Sequence, residues 1–229
     1  MNLIGRAFQF LQVAIGRVFA KPAHYAERYG ARGRSQSLDF RRNAKTIFRG
    51  ELPKKYQGLV DLIPGDRVVE VGAGEGVLSM ELSAHKKAVR AIDYTPMRHT
   101  KGQEIKAAWE ALGKDVSRCE LVLGDVFDHP ELLDGFDTLL ACRVIYYFGD
   151  RINPFMEMVS SRMNYICLIG NGRRSRRYER GHVSADLGEG AYLSTPKGMR
   201  EILEKYGYDI TFERSEGDPV VIGKRKVQL

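Results

Sequence analysis

No stretch of the 229-residue chain approaches the roughly 20 consecutive apolar residues that a membrane-spanning helix needs, so no such helix is expected. Cysteine is scarce. Cys119, Cys142 and Cys167 are odd in number, too few for a disulfide scaffold and without metal-ligand spacing, which fits a reducing cytoplasm. No repeated or low-complexity segment is present, which argues against a solenoid or a mostly disordered chain. What is present is an ordinary globular composition, 43% hydrophobic and 28% charged, on a length suited to one domain with a full core. The 36 Lys and Arg exceed the 29 Asp and Glu by seven. That mild excess favours an anionic partner without choosing among nucleic acid, acidic lipid and a phosphorylated substrate.

The first 20 residues are rich in Leu, Ile, Val and Phe, yet Arg17 falls where the apolar region of a secretory signal would run, and no basic cluster precedes it. At helical spacing, Leu3, Ile4, Ala7, Phe8, Leu11, Ala14, Ile15 and Val18 share one side, with Arg6, Gln9, Gln12 and Arg17 opposite. An amphipathic helix is therefore expected over 1–20. Its apolar face fits either the chain's own domain or a second copy in a homodimer. It fits equally a membrane interface, which would make a cytoplasmic protein peripheral at a membrane surface. Residues 21–55 carry ten basic residues against three acids, with Tyr25, Tyr29, Phe40 and Phe48 interleaved. They read as a helical and looped lid for an anionic group, or as a solvated face whose aromatics turn inward. A helix is expected over Leu38 to Phe48.

From about residue 56 the pattern alternates. Strands are expected at Arg67–Val71, Ala88–Ile92, Glu120–Leu123, Thr138–Ala141 and Tyr165–Ile169. Helices are expected between them at Val77–Ala84, Thr100–Leu112, Pro130–Leu133 and Asn153–Arg162. Such alternation predicts an α/β fold, a parallel sheet with helices on both faces. The chain then closes with a helix at Pro196–Tyr206 and two strands, Asp209–Glu213 and Val220–Lys224, as an antiparallel hairpin ending a mixed sheet.

The string Val68-Val69-Glu70-Val71-Gly72-Ala73-Gly74-Glu75-Gly76 is the most informative in the chain. An apolar strand ends in an acid, and three alternating glycines open a helix. Glycine belongs where a strand turns sharply into a helix and backbone approaches a ligand. The dinucleotide fingerprint G-x-G-x-x-G has a different spacing, and Glu70, two residues before the first glycine, would repel a pyrophosphate. A carboxylate there suits a ligand with an ammonium group.

On these residues the sequence resembles the class I S-adenosylmethionine (SAM) dependent methyltransferases, from about Lys54 to Lys224. The resemblance implies a Rossmann-like mixed sheet of seven strands, here carrying an N-terminal helical extension, with SAM as cofactor. It implies cofactor binding by Glu70, Gly72, Ala73, Gly74 and Gly76. It assigns the ribose hydroxyls to Asp93, beside Tyr94, at the end of the second strand. It assigns the adenine amino group to Asp125, with Val126 or Phe127 packed on the ring. It also places cofactor and substrate contacts after the fourth strand, around Cys142 and Tyr146. Asp93 has a second reading as a turn residue before Thr95-Pro96, Asp125 as a turn residue, and Tyr146, Tyr147 and Phe148 as core.

An oxygen acceptor usually wants a base, and of the five histidines His182 stands out. It follows the fifth strand in a segment expected to be irregular, where open α/β sheets place their ligands. Tyr146 is the second candidate catalytic residue. Arg173, Arg174, Arg176, Arg177 and Arg180 precede His182, and arginine forks grip carboxylates and phosphates. The [D/N]-P-P-[Y/F] motif of exocyclic-amine methylation is absent, Ala141-Cys142-Arg143-Val144 standing in its place. The fourth strand ends in Cys142 where a catechol-type enzyme has a metal-binding acid, so no metal is expected. The expected function is O-methylation of an anionic small molecule or a glycan- or lipid-linked precursor. RNA methylation, less favoured because stacking and RNA-module signatures are absent, and a silent SAM-binding subunit are the alternatives.

Overall fold

Short apolar segments that bury side chains on both faces build the centre of the molecule. A computed structural model describes residues 43–181 and 189–226. Seven strands form one sheet: β1 (Arg67–Val71), β2 (Ala88–Asp93), β3 (Cys119–Leu123), β4 (Thr138–Cys142), β5 (Tyr165–Ile169), β6 (Tyr208–Arg214) and β7 (Val220–Arg225). Their order is β3-β2-β1-β4-β5-β7-β6. The first five run parallel, and β7 inserts antiparallel between β5 and β6. The central strand β4 buries Thr138, Leu139, Leu140 and Ala141 completely, as expected where helices cover both faces. The edge strand β6 alternates instead, with Asp209, Thr211 and Glu213 exposed between less exposed residues.

The helices are α1 (Val77–Ala84), α2 (Pro96–Ala111), α3 (Ile152–Ser160), α4 (Gly172–Glu179) and α5 (Pro196–Lys205). Alternate strand residues feed opposite cores. Val69, Leu139, Ile166 and Val221 pack with Phe155, Met156 and Val159 of α3 and with Met199 and Leu203 of α5. Val68, Leu140, Cys167 and Ile222 pack with Leu78 and Leu82 of α1 and with Leu59, Val60 and Ile63. Each fully buried aliphatic side chain of these layers contributes about 1.5–3 kcal/mol. A third cluster lies over β2 and β3, where Ile47 and Phe48 join Met80, Ile105 and Trp109. Trp109 Nε1 donates to the Ile47 carbonyl at 2.6 Å and ties the segment preceding β1 to α2.

The amphipathic helix expected over 1–20, the first part of the lid over 21–55, and His182 lie outside the described residues. Of the helix expected over Leu38 to Phe48, residues 43–47 are helical and 48–50 turn. Three expectations are corrected. α2 begins a turn earlier than read, because Thr95 takes the N-cap position and Pro96 sits in the first turn, where a missing N–H costs nothing. Pro130–Leu133 is a single 3₁₀ turn, too short to bury a face. The third correction is α4. The arginine-rich segment after β5 is a helix, with the Asn171 side chain accepting from the Arg173 and Arg174 N–H groups at 3.2 and 3.3 Å. Among the described residues no helix is long and apolar enough to cross a membrane.

Candidate functional site

The carboxyl ends of β1 to β5 open into a cleft of about 630 Å³. The loop after β1 forms its floor. Gly72, Gly74 and Gly76 all have φ between +61° and +71°, which L side chains rarely adopt. A Cβ on Gly72 would lie 2.4 Å from Val144 Cγ2, and one on Gly76 would lie 2.6 Å from Leu121 Cδ2. Two different constraints are at work. Gly72 lines the cleft and needs its bareness to let the post-β4 segment approach. Gly76 is buried beneath it at the N-cap of α1, so it packs the loop and does not line the cavity.

The amide groups of this loop are committed internally. Gly72 and Ala73 both donate to the Ile92 carbonyl, at 2.9 and 3.0 Å, Gly74 donates to Asp93 Oδ2 at 2.9 Å, and Gly76 donates to the Ala73 carbonyl. A phosphate-cradling loop would turn such groups toward its ligand. The dinucleotide alternative is thus disfavoured by geometry as well as by spacing.

Glu70 ends in the cleft with 3% of its surface exposed, and Ser79 Oγ donates to its Oε2 at 2.5 Å. Burial pushes its carboxyl from 4.5 up to about 7, the Ser79 hydrogen bond opposes that, and the charge of Asp93 adds to it. A ligand cation on the cleft floor would favour its ionised form. Glu75, on the same loop, is likewise raised by burial, against the pull of Arg98. Asp93 caps two turns at once, accepting from Gly74 N and, through Oδ1, from Thr95 N at 2.9 Å, with Arg98 Nη1 3.8 Å away. It therefore fulfils the turn reading while still lining the cleft, and each oxygen keeps a second lone pair for a diol. Asp125 holds the next turn, its Oδ1 accepting from Phe127 N at 3.0 Å. Val126 is buried, and Phe127 lies edge-on to Phe148 with 5.4 Å between ring centroids.

The structure thus brings Glu70, Gly72, Ala73, Gly74, Asp93, Tyr94, Asp125, Val126, Cys142 and Tyr146 to one cavity, with Gly76 beneath it. Burial raises the Cys142 thiol well above its ordinary range, so this side chain is a packing group and not a thiolate. The Tyr146 phenol is raised too, first by burial and then by Tyr147, which rules it out as a base near neutral pH and leaves it a hydrogen-bond donor. Among the described residues no group of three or more His, Cys, Asp or Glu is placed to hold a metal ion.

Sequence reasoning passed over three cleft residues. Arg98 is buried on α2 beside Asp93. Arg143 adopts φ +58°, a left-handed conformation that only the folded chain reveals. Asn171 was legible in principle as an N-cap, but the run of arginines after it hides any apolar period. α4 buries Gly172 and Ser175 and no aliphatic side chain.

The residues fit SAM. An acid buried at the floor awaits an ammonium, acids end β2 and follow β3, and an aromatic wall lies beyond. No family model matches the chain. No curated protein matches it either. Solved structures do resemble it. Magnesium protoporphyrin IX methyltransferase from Synechocystis PCC 6803 with bound SAM superposes with a TM-score of 0.52 at 15% identity, covering 95% of this chain and 91% of that one. An O-methyltransferase family protein from Burkholderia thailandensis gives 0.56 at 12% identity, covering 96% and 71%. The methyltransferase domain of bacterial CtHen1-C gives 0.56 at 14% identity, covering 83% and 100%. Seven strands in the order seen here, a reversed β7 and an acid-glycine loop at the head of a shared cleft together give this chain the fold of the class I SAM-dependent methyltransferases.

Proposed function

We propose that this chain is a SAM-dependent methyltransferase acting on oxygen in an anionic small molecule or glycan-type precursor. One observation carries the reading: the cleft is polarised. Among the described residues, every carboxylate lining it, Glu70, Glu75, Asp93 and Asp125, comes from the ends of β1 to β3, where Arg98 accompanies Asp93, whereas Arg143, Arg173, Arg174 and Arg177 line the part beyond β4 and β5 with no carboxylate among them. The acidic side suits the ammonium and hydroxyl groups of SAM, and the basic side suits an anionic acceptor.

When bound, SAM supplies an electrophilic methyl group on a sulfonium. The chain's own contribution is orientation and exclusion of water. Glu70 receives the ammonium. Asp93 accepts from the ribose diol, and Asp125 with Phe127 forms the adenine end. Tyr146 donates toward the acceptor. The O-methyltransferase family protein named above supports an oxygen acceptor only by likeness of fold.

The test is calorimetric titration with SAM. Gly74→Val and Asp93→Ala are expected to weaken binding at least tenfold, the first by excluding the ligand and the second by removing the diol partner. Wild-type affinity in both variants would overturn the reading.

A further inference from the structure

Two arginines from different elements line the same end of the cleft. Arg143 closes β4. Its backbone N–H donates to the Ile169 carbonyl at 2.7 Å, and its side chain, 19% exposed, lies 3.5 Å from Asp218 Oδ2. Asp218 also accepts from Gly172 N at 2.9 Å, so the β6–β7 turn, the start of α4 and Arg143 are held as a unit. A left-handed backbone costs an arginine roughly 1–2 kcal/mol and persists only where the surroundings enforce it. Arg174 projects from the first turn of α4, its guanidinium 4.4 Å from the Tyr146 ring centroid and 5.0 Å from that of Tyr147, with Nη2 donating to the Tyr147 hydroxyl at 3.4 Å. Both guanidinium groups act electrostatically on the Tyr146 phenol.

This end of the cleft therefore offers donors: two positioned guanidinium groups and a phenol that stays protonated. From Arg143 to Arg177, the described residues lining it include no carboxylate and no imidazole. Among the described residues lining this end, a neutral hydroxyl would meet no carboxylate or imidazole to take its proton. An oxyanion would meet donors from the end of β4 and from α4 and needs no base.

We propose that Arg143 and Arg174 form a clamp for the acceptor's carboxylate or phosphate, and that an oxygen of this already ionised group is the atom methylated. The proposal rests on the methyltransferase reading and names its substrate class. Transfer forms one C–O bond and breaks one C–S bond, the sulfur keeps the electron pair, and no proton is released. The products are a methyl ester or a methyl phosphoester, together with S-adenosylhomocysteine. No proton-acceptor role then falls to His182.

The experiment titrates the complex with S-adenosylhomocysteine, using sodium benzoate, phenyl phosphate and benzyl alcohol as probes. At least one of the two anions is expected to bind, and the alcohol is not. Arg174→Met should weaken anion binding tenfold or more, and Arg174→Lys less. Arg143→Gly suits the left-handed backbone, so it removes the guanidinium without straining the fold, and should weaken anion binding similarly. S-adenosylhomocysteine affinity should stay within twofold in all three variants. If S-adenosylhomocysteine does not bind wild type, the methyltransferase reading fails. If it binds and neither anion does, or the alcohol binds as well, the clamp alone fails. The product formed with methyl-labelled SAM in an extract of the source cells separates the two anions. Label released as methanol by mild alkali identifies a carboxylate, and label released only by phosphodiesterase identifies a phosphate. Label that survives both treatments overturns the proposal.

Discussion

Glu70 stores a destabilisation that the bound cofactor should relieve. Its carboxyl is raised from 4.5 to about 7, chiefly by burial. That rise corresponds to roughly 3 kcal/mol between the two protonation states. The sign follows from linkage. Below pH 4.5 the group is protonated in both the folded and unfolded chain, and no penalty exists. Between 4.5 and about 7 the unfolded chain ionises and the folded one resists, so stability falls as pH rises, and above 7 the full penalty applies. Glu70→Gln keeps an oxygen to accept from Ser79 Oγ but cannot ionise. In the absence of SAM it should therefore exceed wild type by about 3 kcal/mol at pH 8, or roughly 6–12 °C in Tm for a domain of this size, with the gain shrinking toward pH 4.5. Ligand binding should show the reverse preference. The ammonium needs the ionised acid, so wild-type affinity for SAM should be about tenfold weaker at pH 6 than at pH 8, while that of Glu70→Gln is weak and flat. Thermal melts at pH 5 and pH 8, with and without SAM, measure both. A Tm difference that is equal at the two pH values, or a Gln variant that binds SAM like wild type, would refute the reasoning.

Gly72→Ala places a Cβ 2.4 Å from Val144 at φ +70°, and should cost about 3 kcal/mol by urea denaturation along with the loss of SAM binding. Asn171→Ala removes the cap of α4, and is expected to lower stability by about 1 kcal/mol and to loosen Arg174, seen as weaker binding of an anionic probe with SAM affinity unchanged. Trp109→Phe removes the indole donor to the Ile47 carbonyl, which keeps the Gly50 N–H at 3.0 Å, and should cost about 1 kcal/mol, read from a denaturant midpoint. The raised Cys142 thiol should react with iodoacetamide at pH 7.5 at least tenfold more slowly than a free thiol, and faster once urea exposes it.

The fold was legible because its signals are local and repeated. Five apolar segments alternate with helices, and all five recur as β1 to β5 within a residue or two. The closing hairpin was legible from the two short strands read at Asp209–Glu213 and Val220–Lys224, which recur as β6 and β7. Where the reading slipped, tertiary packing supplied what the local pattern lacked. α4 contains four arginines, with a fifth at its C-cap, and no aliphatic residue, so neither periodicity nor composition marks a helix. It forms because Asn171 caps it, Ser175 Oγ bonds Glu179 at 3.1 Å, and Arg174 lays its guanidinium over two tyrosine rings. The first two are local, whereas the tyrosine rings, and Asp218, which accepts from Gly172 N, are brought near by the segment after β4 and the β6–β7 turn.

The site divides along the same line. Its acidic half was legible because Glu70, the glycines, Asp93 and Asp125 fall at the ends of successive parallel strands, and a parallel sheet delivers every such end to one edge. Strand order alone guarantees that they meet. Its basic half depends on orientation, which no spacing encodes. Arg143 is one residue past a strand, unremarkable until φ +58° and Asp218 aim it, and Arg174 is one of five arginines until the helix selects it. Arg176 and Arg180, equally basic in sequence, are exposed and do not line the cleft. A count of charges therefore only favours an anionic partner, whereas the fold tells which guanidinium groups stand in the cleft beside Tyr146 and Tyr147 and which point to solvent.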